Sequence, residues 1–187
     1  LCASSEAWGP VINYQASRRL VDVARVIVEN GGSQQPNEPG SNWQANRGAS
    51  AGIALLATDH QFDPDLAEAA HDRVVRYLDA NAGFKAGSRG WNPEGFGYTA
   101  YPVGSFVGPY GVAAARDRPE RDLRNSGRLQ WKTWTGFAGA TTALDVYGTG
   151  GVKTDWANDN AHVGGEGIYG LAFYYAEESF KGALRHA

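Results

Sequence analysis

These 187 residues show no convincing alternation of apolar and polar side chains with the period of two that a strand requires. Apolar residues recur instead at intervals of three and four, the spacing that lines one face of a helix. From Ser17 the series Leu20, Val21, Val23, Ala24, Ile27 and Val28 forms such a stripe, with Arg18, Arg19, Asp22, Arg25 and Glu29 opposite, until Asn30 and two glycines end it. Residues 1–16 read as a mixed lead-in. Asp63-Pro64 is a helix start by its chemistry, an N-cap carboxylate followed by proline at the first helical position. The helix that follows carries Leu66, Ala70, Val74, Tyr77 and Leu78 on one face and stops near Asn81.

Between these two lies the run from Gly48 to Ala57, small and apolar nearly all round, which suits a buried helix with close neighbours. Asn42 falls at or near its N-terminus, where an amide can cap free backbone N–H groups. Pro102 and Pro109 bracket the apolar Val103 to Val107, and a short helix is expected from Gly111 to Ala115. Residues 116–128 alternate charges of both signs, the usual pattern of a solvated connection, with a rim of arginines facing an anion as the alternative. Leu129 to Val146 and Ile168 to Leu184 read as two further aromatic helices. The fold class expected is all-α: helical hairpins, with long loops rich in glycine and aromatics gathered at one end.

Those loops hold the groups suited to chemistry. Residues 89–101 place glycines beside Trp91, Glu94, Tyr98 and Tyr101, too much glycine for a good helix and too many aromatics for an idle linker. Tyr98 and Tyr101 are either packed aromatics or exposed phenols; beside Gly95 and Gly97, where backbone approaches a ligand closely, exposure gains weight. Glu94 either folds the loop by accepting backbone N–H bonds or meets a ligand. The second loop, residues 156–167, contains Asn160 and His162, the histidine in the most unusual surroundings; His60, His71 and His186 have ordinary helical or terminal contexts. Asp155, Asp159, Glu166 and His162 have side chains able to bind a metal, but their spacing matches no specific ligand motif; neither a metal nor a cofactor is expected.

Charge and cysteine content narrow the class of partner. A net charge of −3 and a pI near 5.8 disfavour a dedicated nucleic-acid surface. No run of about eighteen apolar residues exists to span a membrane. The single Cys2 cannot form an internal disulfide. With no methionine and no stop signal after Leu184, the chain is expected to be a single helical domain cut from a longer protein.

Ser41-Asn-Trp-Gln-Ala-Asn-Arg-Gly48, followed about fifty residues on by Gly90-Trp-Asn-Pro-Glu-Gly-Phe-Gly-Tyr-Thr-Ala-Tyr101, resembles the heparinase II/III-like polysaccharide lyases. Members show an Asn-Trp or Asn-His pair opening a small-residue helix, then a Gly-x-x-Glu-Gly-x-x-Tyr segment. The resemblance extends in hydrophobic pattern over roughly residues 15–175. It implies part of an (α/α) toroid whose cleft binds an acidic polysaccharide and cleaves it by β-elimination at a uronate, in a secreted or periplasmic protein. Asn42 matches the residue that neutralises the substrate carboxylate and Tyr98 the tyrosine acid/base; His162 falls where such enzymes can supply a histidine. Trp43, Trp91, Glu94, Tyr101 and Asn160 are the accompanying candidates for substrate binding. This family's full toroid is longer and is normally followed by a β-sandwich domain, so these 187 residues are expected to correspond to a fragment or a shortened relative. Two other functions fit the same residues: a glycoside hydrolase using Glu94 and Asp159 as paired carboxylates, or a non-catalytic binder stacking sugars on Trp43, Trp91 and Trp156.

Overall fold

The computed structural model describes residues 9–30, 40–58, 63–80, 101–123, 178 and 181–182. They are helical, with no strand among the described residues. Four α-helices carry the architecture: α1 (Pro10–Asn30), α2 (Asn42–Leu56), α3 (Pro64–Ala80) and α4 (Gly108–Asp117). The expected helices at 129–146 and most of 168–184 lie outside the described residues, as do both loops apart from Tyr101.

Helix α1 begins seven residues earlier than the apolar stripe suggests. Pro10 fits a first helical turn, where its missing N–H costs nothing, and Asn13 N–H donates to Gly9 C=O at 3.1 Å. Val11, Ile12 and Tyr14 are 67%, 51% and 59% exposed, so this first turn is helical without burying a stripe that periodicity could reveal. Further along, Val21, Ala24 and Val28 are buried against Ala51 and Leu55 of α2 and Leu66, Ala67 and Ala70 of α3.

Helix α3 matches its sequence signals. Asp63 Oδ1 accepts the Leu66 N–H at 2.9 Å, and Oδ2 accepts from Arg25 on α1 at 2.7 Å. The backbone N–H first, and the Arg25 guanidinium with it, hold this carboxyl below the ordinary aspartate range. One residue therefore both starts a helix and ties it to α1.

Helix α2 is the centre. Its buried face is built of Gln44, Ala45, Asn46, Gly48, Ala49, Ala51, Gly52 and Leu55, mostly small, and α1, α3 and α4 all pack on it. A Cβ at Gly48 would lie 3.1 Å from Arg73 Cβ, and one at Gly40 3.3 Å from the backbone of Ala80. These two approaches make α2 and α3 an antiparallel hairpin. Arg73 spans the three helices, donating to Gln44 Oε1 at 2.8 Å and to the Val28 C=O in the last turn of α1, a carbonyl with no partner inside its own helix.

The short helix expected from Gly111 to Ala115 is longer than that, and Pro109 does not interrupt it. The chain is helical from Tyr101 to Asp117, passing through a π turn at Val103–Val107 in which Gly108 N–H reaches back to Val103 C=O. Pro109 offers no N–H and its ring crowds the carbonyl four residues back. A widened turn makes room for it without ending the helix.

In the charged segment, Arg116, Asp117, Pro119 and Glu120 are exposed as expected, and the departure lies in the three residues that follow. Arg121, Asp122 and Leu123 are buried, not solvated, and Arg121 faces no open anion site. At 5% exposure its guanidinium lies 2.5 Å from Glu68 Oε2 and 3.8 Å from Asp117 Oδ2. Arg121 in turn holds the Glu68 carboxyl below its usual range. Because Glu68 is itself half exposed, the pair is partly screened. Glu68→Gln nevertheless leaves a buried cation with one distant partner, and a loss of about 1–2 kcal/mol in urea unfolding is expected. Adding Arg121→Met should recover at least half of it; a single variant as stable as the parent contradicts the account.

Candidate functional site

The N-terminus of α2 is where sequence and structure meet. Ser41 is the cap: its backbone is extended (φ −69°, ψ 138°) and its Oγ accepts the Trp43 N–H at 3.3 Å. Its carbonyl accepts the N–H groups of Gln44 at 2.9 Å and Ala45 at 3.3 Å. Asn42 is therefore the first helical residue and not the cap, which corrects the capping alternative offered for it. Its half-buried amide is released from that duty.

Trp43 is 47% exposed, and the Arg47 guanidinium lies over its ring at 5.3 Å. A tryptophan propped by a cation, with half its surface open, has the form of a stacking platform. Gln44, one residue on, faces inward and is used by Arg73.

Tyr101 is helical, not part of a loop as its glycine-rich neighbourhood suggests. It is 43% exposed, with its ring edge-on to Phe106 (5.5 Å, 84°). Helix register brings it to the Asn42 end of the bundle. Tyr110 sits at Gly52 and bonds His71 of α3, while Arg121 farther along reaches Glu68, nearer the start of α3. With α3 antiparallel to α2, the chain through α4 runs in the direction of α2. Going back nine residues from Tyr110 covers about 13 Å, and ten residues from Gly52 to Asn42 about 15 Å. Tyr101, Asn42, Trp43 and the C-terminus of α3 thus share one end.

Tyr98, Trp91, Glu94, Asn160 and His162 lie outside the described residues, as do Asp155, Trp156, Asp159 and Glu166. Among the described residues, no group of three His, Cys, Asp or Glu side chains is placed to hold a metal. No described helix is long and apolar enough to cross a membrane.

One polar pair escaped the reading of the sequence, His71 and Tyr110. His71 Nδ1 lies 2.9 Å from Tyr110 Oη, linking α3 to α4. Burial pushes the phenol well above its ordinary range, and burial followed by the Arg121 charge pulls the imidazole below its own. With Tyr110 only 1% exposed, the pair is a strut and not a reactive dyad. The signal for it was Gly52, a helical position emptied of side chain where the ring must lie.

Searches of protein-family descriptions, curated proteins and solved structures find no match to this chain.

Proposed function

We propose that this chain is the substrate-binding part of a polysaccharide lyase that cleaves a uronate-containing acidic polysaccharide by β-elimination. The observation that carries it is the state of Asn42: displaced from capping by Ser41, half-buried, beside an exposed Trp43 and at the end of the bundle to which Tyr101 belongs. An amide without a capping duty, next to an aromatic platform, suits the carboxylate and ring of an acidic sugar.

In the chemistry proposed, Asn42 neutralises the carboxylate at C5, which makes the C5 proton removable. A base takes that proton, the C4–O bond breaks as the C4=C5 bond forms, and an acid protonates the departing oxygen. Tyr98 is assigned the acid/base role and His162 its partner. A phenol acts as an acid without any shift of its ordinary pKa, whereas acting as a base near neutrality calls for a neighbouring cation or strong donor. Trp91, Glu94, Tyr101 and Asn160 are assigned to the sugar on either side. The corresponding architecture is part of an (α/α) toroid, in a secreted or periplasmic protein, with no cofactor.

Exposed Trp43 with Arg47 equally supports a carbohydrate-binding domain without turnover. The products decide. Incubated with alginate, polygalacturonate and heparan sulfate, a lyase releases an unsaturated uronate that absorbs in the ultraviolet. A hydrolase, the role open to Glu94 and Asp159, releases only a new reducing end, and a binder releases neither. On the polymer that is cleaved, Tyr98→Phe is expected to abolish turnover and leave calorimetric binding within about twofold, since it removes one oxygen and almost no packing volume. Retained turnover in that variant discards the assignment of Tyr98.

A further inference from the structure

Asn46 lies one turn after Asn42 on the same side of α2, and with 9% of its surface exposed it is more than nine-tenths buried. Its Oδ1 is shielded from solvent and has no hydrogen-bond partner among the described residues. Leaving a buried acceptor unmade costs about 1–3 kcal/mol, a cost that an apolar side chain of similar volume would avoid. Helical side chains lean toward the N-terminus of their helix, so the Asn46 amide covers the turn that Asn42 opens. The backbone donors of that turn are taken up by Ser41, through Trp43, Gln44 and Ala45. A ligand arriving there meets side-chain amides more than free main-chain N–H groups.

We propose that Asn46 is a specificity-determining residue at the same end of α2: on binding, its amide turns so that Oδ1, shielded in the free protein, accepts a hydrogen bond from a free ring hydroxyl of the uronate whose carboxylate the Asn42 amide holds. This assignment rests on the lyase function proposed above and narrows its substrate class. Residues four apart on a helix have Cβ atoms about 5–6 Å from one another, so two amides address neighbouring substituents of one sugar. The terminal torsion of asparagine is soft, and Oδ1 turns toward a hydroxyl at little cost. An acceptor oxygen demands a donor. A hydroxyl esterified by acetate or sulfate has no proton to give, so this end of α2 favours unsubstituted uronates.

The test measures two properties of Asn46→Leu beside the parent protein: the urea midpoint, and calorimetric affinity for oligogalacturonates with free or O-acetylated hydroxyls. The parent is expected to prefer the unsubstituted oligomer by about tenfold, the worth of one satisfied buried hydrogen bond. Asn46→Leu is expected to lose that preference while its midpoint stays at or above the parent's, because the unsatisfied acceptor is gone. A variant that unfolds at lower urea, or fails to fold, and an unchanged preference each overturn the proposal by making Asn46 a structural amide. If the parent binds no uronate oligomer at all, the lyase function fails and this assignment with it; a normal midpoint in Asn46→Leu distinguishes that outcome from a structural role.

Discussion

Gly52→Ala is expected to destabilise the protein by about 2 kcal/mol, even though alanine is the better helix former by about 1 kcal/mol. A Cβ at this position would stand 2.3 Å from Tyr110 Cε2, and within 3.0 Å of two more atoms of the same ring. Real carbon atoms do not approach so closely, so the ring has to move. It is 1% exposed and its hydroxyl is 2.9 Å from His71 Nδ1, which leaves it nowhere to go without opening the α2 and α4 contact or losing that hydrogen bond. Overpacking costs about 1–3 kcal/mol, more where the surroundings cannot yield, which outweighs the gain in propensity. In a chain of this size the net loss corresponds to a fall in Tm of about 4–8 °C. Gly48→Ala, which meets Arg73 Cβ at 3.1 Å and Val74 Cγ2 at 3.3 Å, should cost less. Combining Gly52→Ala with Tyr110→Leu should cost less than the two single losses added together, because the second change removes the obstacle to the first. Equal stability of Gly52→Ala and parent would mean that the ring does not lie where it is described.

Asn42→Ala should have the opposite profile, a large effect on turnover and almost none on folding. If the amide neutralises the substrate carboxylate in the transition state, its loss removes one preorganised donor, worth about 10²–10³ in kcat. The unfolding free energy in urea should change by no more than about 0.5 kcal/mol, since the cap of α2 is Ser41 and its bonds to Trp43, Gln44 and Ala45 survive. Ser41→Ala supplies the mirror image. It removes the Oγ that accepts from Trp43 and should cost about 1 kcal/mol of stability while lowering turnover far less than Asn42→Ala. Were Asn42→Ala to lower stability like a lost cap and leave the rate on uronate polymers intact, the residue would be structural and the proposed function would lose its main support.

How far each element was legible follows from how local its causes are. Asp63 and Pro64 start α3 through their own chemistry, one by accepting the Leu66 N–H and the other by its fixed φ, so the residue at which the helix begins could be read directly. The small-residue run of α2 announced a buried helix because glycine and alanine are what close helix contacts require. At Ser41 and Asn42, two adjacent residues of similar capping ability, local chemistry left the choice open; backbone geometry made Ser41 the cap. Pro10 and Pro109 misled in opposite ways. The first does open α1, but in a turn with no buried face that periodicity could reveal, and the second was absorbed by a π turn.

The all-α class, the course of α3 and the central place of α2 were determined by the amino-acid order alone, because hydrophobic period, capping chemistry and side-chain size act within a few residues. Contacts between residues far apart in the chain decided the rest: that Arg121 turns inward to Glu68, 53 positions away, that Tyr110 fills the space over Gly52 and bonds His71, and that Tyr101 comes to the same end as Asn42. A charged or aromatic side chain looks the same along the chain whether solvent or a partner receives it, and only packing supplies the partner.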